Sequence, residues 1–326
     1  MKKKFLICVI LFQVINVFSQ TNINRQIQQA EELYLIKQFD EALVLLNSVI
    51  TQEPNNIYAL MDRSCVYDAL NEYEKALEDI NKVLENNPNN LKARHIRGGI
   101  YGNAGEFDKA IEDENFVLGK VPLFTSGLNV RGLAYGRIGM YEKAIADFTS
   151  AITISNYNYE SSDVFLLNRA YMYFFQKKYK ESLQDIEMSL IYNNRNPEAL
   201  ALKSKIYRVN GNFEESTKWI TQAISNSPEY YELYYLRILN YLQVNNLEFA
   251  KNDLEYIKNE RGNTSAFHSL MALYYYLNDD TNSALRELLV SKELNGNEEG
   301  AFSIMILTDD IKTLINKERM EEIYIK

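Results

Sequence analysis

A small residue returns at one slot along most of this chain: Ala42, Ala76, Ala110, Ala144, Ser182, Ser216, Ala250 and Ala284, at intervals of 34 residues with one of 38. A single core does not need a fixed interval, whereas a row of similar modules does. A small side chain at a fixed slot lets two helices approach closely, because the side chains at a contact set the distance between axes. Three residues before it stand Phe39, Tyr73, Phe107, Tyr141, Tyr179, Phe213 and Leu247, then Thr281. A large ring there fills the gap between neighbouring helices.

Each module also carries an earlier apolar phrase, closing near Leu33, Tyr67, Tyr101, Tyr135, Tyr173, Tyr207, Tyr241 and Tyr275. Four residues after most of these comes Asn71, Gly105, Gly139, Gly211 or Asn245. Asparagine and glycine tolerate the left-handed backbone that ends a helix. The second phrase runs at helical spacing, as in Ala76, Ile80, Val83 and Leu84. It stops near Pro54, Pro88, Pro122 and Pro228. Each module therefore reads helix, tight turn, helix, stop.

This pattern resembles the tetratricopeptide repeat over roughly residues 23 to 298, with modules near 23–56, 57–90, 91–124, 125–158, 163–196, 197–230, 231–264 and 265–298. The resemblance implies an all-α fold: a right-handed α-solenoid of about eight helix-turn-helix modules, with a concave inner face lined by first helices. Residues 299–326 are expected to form a capping segment, with a helix from Asp309 to Lys326. Departures from the pattern are Glu114, where Ile80 and Phe148 are apolar, the serines at 182 and 216, and Gly262 and Gly296 in place of a closing proline.

Lys2, Lys3 and Lys4 precede a mostly apolar run, Phe5 to Phe18, and small residues near Ser19. This reads as a signal peptide over 1–19 and predicts export to the periplasm or medium. A retained anchor is the alternative, although the run is short for a membrane span. Without those lysines 32 basic residues face 44 acidic ones, a formal charge of −12. Nucleic acid and anionic lipid are therefore not expected as partners. Cys65 would be the one remaining cysteine, which excludes an internal disulfide.

One first-helix slot reads Arg63, Arg97, Arg131, Arg169 and Arg237, and 16 residues later stand Asp79, Asp113, Asp147, Asp185 and Asp253. Where the arginine is missing the aspartate is missing too: Gln29 goes with Leu45, Lys203 with Trp219, Met271 with Glu287. Paired change within a module predicts a structural ion pair joining its two helices, with arginine's planar fork on a carboxylate.

No zinc motif and no phosphate-binding P-loop occurs, and His95 and His268 lie on different modules. No metal, cofactor or enzymatic activity is expected. Gly98, Gly99, Gly102 and Gly105 read as close packing and a turn rather than a phosphate loop. The resemblance places a partner groove on first-helix residues: Lys92 and His95, Arg137, Tyr171 and Phe174, Lys205 and Arg208, and Tyr235. Tyr171 and Phe174 read either as an exposed hot spot beside basic residues or as rings packed on neighbouring helices. The lysine–asparagine clamp of chaperone-binding relatives is absent: its slots hold His95 with Gly99, and Asn129 with Leu133. The expected function is a non-catalytic scaffold of the cell envelope binding a protein segment. A glycan-binding groove, with tyrosines stacked on sugar rings, is the alternative.

Overall fold

The structure, a computed structural model, describes residues 21–295 except 159–161, 261 and 263. These residues form sixteen helices and no strand. In chain order they are α1 (21–35), α2 (Phe39–Gln52), α3 (Ile57–Ala69), α4 (Tyr73–Asn86), α5 (Leu91–Asn103), α6 (Phe107–Lys120), α7 (Thr125–Arg137), α8 (Tyr141–Asn158) and α9 (Asp163–Phe175). There follow α10 (Tyr179–Tyr192), α11 (Pro197–Val209), α12 (Phe213–Asn226), α13 (Tyr231–Gln243), α14 (Leu247–Glu260), α15 (Ser265–Leu277) and α16 (Thr281–Asn295). The expected signal peptide and the C-terminal capping helix lie outside the described residues. The chain forms two compact units that divide after Gln176.

In the first unit α3 packs on α4, α5 on α6 and α7 on α8, and first helices also touch one another, α3 with α5 and α5 with α7. In the second unit α11 packs on α12, α13 on α14 and α15 on α16. This is an all-α repeat solenoid architecture. All eight small-slot residues are buried, Ala42, Ala76, Ala110, Ala144, Ser182, Ser216 and Ala250 at 0% exposure. The slot four residues on is equally dry: Leu46, Ile80, Phe148, Ile186 and Ile220 are fully covered, each contributing about 1.5–3 kcal/mol by burial. The ring slot is half-buried in Phe39, Tyr73, Phe107 and Tyr141. Serine keeps the small slot small in the second unit and finds partners, since Ser216 Oγ lies 2.9 Å from Ser204 Oγ and accepts from Asn240 at 2.8 Å.

The turns repeat atom for atom. The Glu72 N–H donates to the Tyr67 carbonyl at 2.8 Å and the Asn71 N–H to that of Asp68 at 2.9 Å. The same doublet closes α1, α5, α7, α11, α13 and α15, so the helix-end carbonyls find donors at a left-handed residue and the one after it. The left-handed residue is Asn71, Gly105, Gly139, Gly211 or Asn245, as the sequence predicts, but also Lys37, Lys177 and Asp279 at φ near +60°. Asparagine caps the next helix start. Asn56, Asn90 and Asn196 accept from the N–H of Ala59, Ala93 and Ala199.

Four arginine–aspartate pairs form within their modules. Arg63, Arg97, Arg131 and Arg237 each place Nε and Nη2 on the two oxygens of Asp79, Asp113, Asp147 and Asp253, at 2.7–2.9 Å. The fifth couple, Arg169 and Asp185, has its members in different units. Each of the four arginines also reaches back to the previous module through Nη1. It meets Asn47, Asn81 and Asn115 at 2.6–2.8 Å and Thr221 at 3.3 Å. Arg169 meets Thr149 in the same way at 2.9 Å. The ladder thus joins three helices, and this backward step was not read from the sequence. In the sixth module Lys203 Nζ sits 3.8 Å from the centre of the Trp219 ring, so a cation–π contact stands where the ion pair would.

The four residues that lengthen the fourth interval prolong α8, which has 18 residues where α2, α4 and α6 have 14. The extra length is helix up to Asn158, about one turn or ~5–6 Å of rise.

Candidate partner-binding cleft

In the first unit the C-terminal ends of α1, α3, α5 and α7 converge with the starts of α4 and α6. They enclose an open cleft of about 650 Å³ lined by Tyr34, Asp68, Asn103, Gly102, Phe107 and Arg137, among others. A smaller recess of about 250 Å³ adjoins it, over Gly99 and Gly102 and between Val130, Leu133, Phe107 and Arg137. Gly102, Asn103, Phe107 and Arg137 line both.

The polar groups of the cleft differ in how far they are already engaged. The Asn103 amide donates to both oxygens of Asp68, at 2.9 and 3.1 Å, across α5 and α3. Burial pushes the Asp68 carboxyl above its ordinary value, with the Asn103 bond opposing. Arg137, the last residue of α7, is exposed and has no hydrogen bond or ion pair among the described residues. Further along α3, burial drives Asp62 up to about 6, with Lys92 opposing. Cys65 is pushed up to about 11, mainly by burial, then by Asp62 and Asp68. A thiol held so high is a poor nucleophile at neutral pH.

The sequence-predicted residues fare differently. Arg137 lines the cleft and Lys92 is exposed at the start of α5. His95 is turned inward: its Nδ1 lies 2.7 Å from Glu114 Oε1 and its ring meets Phe124 edge-on at 4.7 Å. Tyr171 and Phe174 are half-buried rather than exposed, and Tyr171 packs against Ala144, Phe148 and Met172. The exposed ring is their neighbour Phe175, 45% exposed and stacked on Tyr141 at 5.7 Å. Lys205, Arg208 and Tyr235 belong to the second unit. There burial alone holds the Lys205 ammonium below its ordinary value, and the Tyr235 hydroxyl lies 3.2 Å from Thr264 Oγ1.

The glycines of α5 correct one reading. A Cβ on Gly98 would lie 2.9 Å from Glu114 Oε1, so close packing accounts for it, and Gly105 is the turn residue at φ +82°. At Gly99 and Gly102 a Cβ would meet nothing within 4 Å. These two are not close-packed; they floor the recess. Sequence reasoning also missed Asn103 and Phe107, whose roles depend on which helix ends the stacking brings side by side.

The paired helices, their shared turn and this cleft define an all-α helical-repeat protein. Tetratricopeptide repeat models match residues 57–90 and 126–158. Such repeats are in general protein–protein interaction scaffolds. Among solved structures the chain is similar to the Cut9–Hcn1 hetero-tetramer of the APC/C, at 14% identity and TM-score 0.63, covering 88% of this chain and 55% of that one. It spans little more than half of that chain's length. It is also similar to PilW, a type IV pilus biogenesis factor, at 18% identity and TM-score 0.60, covering 66% and 97%. PilF of Pseudomonas aeruginosa aligns at 15% identity and TM-score 0.53, covering 63% and 92%. At these identities the likeness concerns the fold. No curated protein sequence matches the chain.

Proposed function

We propose that the chain is a non-catalytic scaffold that holds a segment of a partner protein against the first helices of its first unit. The observation that carries this is the contrast between Arg137 and the ladder arginines. Arg63, Arg97 and Arg131 are locked to aspartates, whereas Arg137 projects over an open cleft with no partner among the described residues. A cation beside apolar side chains and a glycine floor offers a segment both orientation and contact area.

The protein reading is favoured over a glycan reading because repeated tyrosines of the first unit already lie beside cations. Arg63 and Lys75 lie over the Tyr67 ring at 5.6 and 5.3 Å, and Arg97 and Lys109 over Tyr101 at 5.7 and 5.1 Å. Cations this close compete with a sugar for the ring.

We further propose export, on the strength of the basic head and apolar run at residues 2–18. No helix among the described residues is long and apolar enough to cross a membrane. Selection of a random peptide library on the purified chain tests the binding reading, and fractionation of cells expressing the full-length chain tests the export. Recovery of specific peptides and enrichment outside the cytoplasm are the expected results. An unselected library contradicts the first proposal, and a purely cytoplasmic product contradicts the second.

A further inference from the structure

We propose that the recess between α5 and α7 selects a partner segment carrying a bulky apolar side chain beside an acidic one. The apolar group enters over Gly99 and Gly102, and the carboxylate meets Arg137. This inference rests on the segment-binding reading and names the chemistry of the segment.

The first support is the cost of the floor. Glycine inside a helix is worse than alanine by about 1 kcal/mol. Helix α5 carries Gly98, Gly99 and Gly102 within 13 residues. Gly98 is required by Glu114, but at Gly99 and Gly102 no atom of the described residues beyond the local helix backbone stands within 4 Å of a Cβ. No packing contact among the described residues calls for these two. Their lack of side chains instead opens the recess and lets another main chain approach the helix closely.

The second support is the lining. Val130, Leu133 and Phe107 give the recess an apolar wall, and Leu133 is left 40% exposed within it. Its volume of about 250 Å³ lies below the ~300–1,000 Å³ of ordinary small-molecule pockets. That size suits one large side chain.

The third support is charge. Asp68, the acidic group of the larger cleft, is occupied by the Asn103 amide. Arg137 borders both recess and cleft and is the charge left over. A guanidinium binds a carboxylate through two parallel hydrogen bonds, which fixes the segment's register as well as its sign. The complement is an acidic residue placed next to the apolar anchor.

The test uses the full chain and peptides selected from a random library, with affinity read by fluorescence polarisation. Selected peptides are expected to share a large apolar residue within one or two positions of Asp or Glu. Gly102→Leu, which fills the recess, and Arg137→Glu, which reverses its charge, are each expected to weaken binding about tenfold or more. Gly119→Ala is the control: a Cβ there also meets nothing, and the residue lies outside the recess, so affinity should hold. Gly102→Leu should melt no lower than wild type, because helix propensity favours it, which separates lost binding from lost folding. Selected peptides indifferent to both Gly102→Leu and Arg137→Glu overturn this inference and leave segment binding intact. A library yielding no binder overturns segment binding itself.

Discussion

The Arg131 guanidinium holds the Asp147 carboxylate through two hydrogen bonds, Nε to Oδ2 at 2.8 Å and Nη2 to Oδ1 at 2.7 Å, and spends its remaining arm on Asn115 at 2.7 Å. One side chain therefore ties α7 to its own partner α8 and to the previous module's α6. Asp147 is 6% exposed, so removing the arginine strands a nearly dry carboxylate. Arg131→Ala is expected to cost about 2–4 kcal/mol, between the values for exposed and fully buried pairs. The Arg131→Ala and Asp147→Ala double variant should lose less than the two single losses added together. Urea melts of the four chains measure this coupling; additive losses would contradict the pairing.

The sixth module offers a swap. Lys203 is 7% exposed and lies over Trp219 at 3.8 Å, with Glu187 3.5 Å away. Trp219→Leu removes the ring and should destabilise by about 2 kcal/mol, a desolvated cation–π contact. Replacing both, Lys203→Arg with Trp219→Asp, rebuilds the arrangement of the other modules. Thermal melting should show the double variant above Trp219→Leu. A double variant melting below both single variants would show that the two slots do not form one interchangeable joint.

Glu114 sits at 0% exposure in a slot that is apolar in the sister modules. Its Oε1 meets His95 at 2.7 Å, while its Oε2 is buried without a hydrogen-bond partner among the described residues. Burial raises its carboxyl above the ordinary 4.5, opposed by His95. A folded value above the unfolded one means that the native state holds the proton more tightly. The stabilisation is then full below about pH 4.5 and is lost as pH rises through the folded value. Glu114→Gln cannot ionise, so its stability relative to wild type should grow between pH 4 and neutrality, by ~1 kcal/mol or more. Melting temperatures across that range decide it; parallel curves would contradict a raised carboxyl.

Lys37 occupies the left-handed turn slot at φ +62°, where Gly105 and Gly139 stand in sister modules. An L-residue with a Cβ costs about 1–2 kcal/mol there, and part of that is offset because glycine gains more entropy on unfolding. Lys37→Gly should therefore stabilise by roughly 0.5–1 kcal/mol, whereas Gly105→Lys should destabilise. Denaturant midpoints of the two variants moving in the same direction would contradict equivalence of the slots.

The fold was legible because its signals are local and repeated. Helix periodicity, the small slot and the turn residue each sit within one module, and the linked changes at Arg63/Asp79 and Lys203/Trp219 exposed a contact between slots 16 residues apart. The cleft was legible only in part. Arg137 was visible as a first-helix cation, but its freedom depends on finding no acid nearby, which requires coordinates. Gly99 and Gly98 are adjacent and look alike in sequence; only the position of Glu114 shows that one is packed and the other open. His95 read as a groove residue because the depth of Glu114 beneath it cannot be deduced from spacing. Tyr171 and Phe174 lie on α9, and the exposed ring of that helix is Phe175, a difference set by depth of packing and not by spacing.

Hydrogen–deuterium exchange of the full chain, with and without a peptide selected from the library, tests the central claim most directly. The account predicts added protection on α5 and α7, concentrated at Gly99 to Asn103 and Leu133 to Arg137, and none on the second helices α2 and α4. Protection confined to α2 and α4, or spread over neither face, would contradict it.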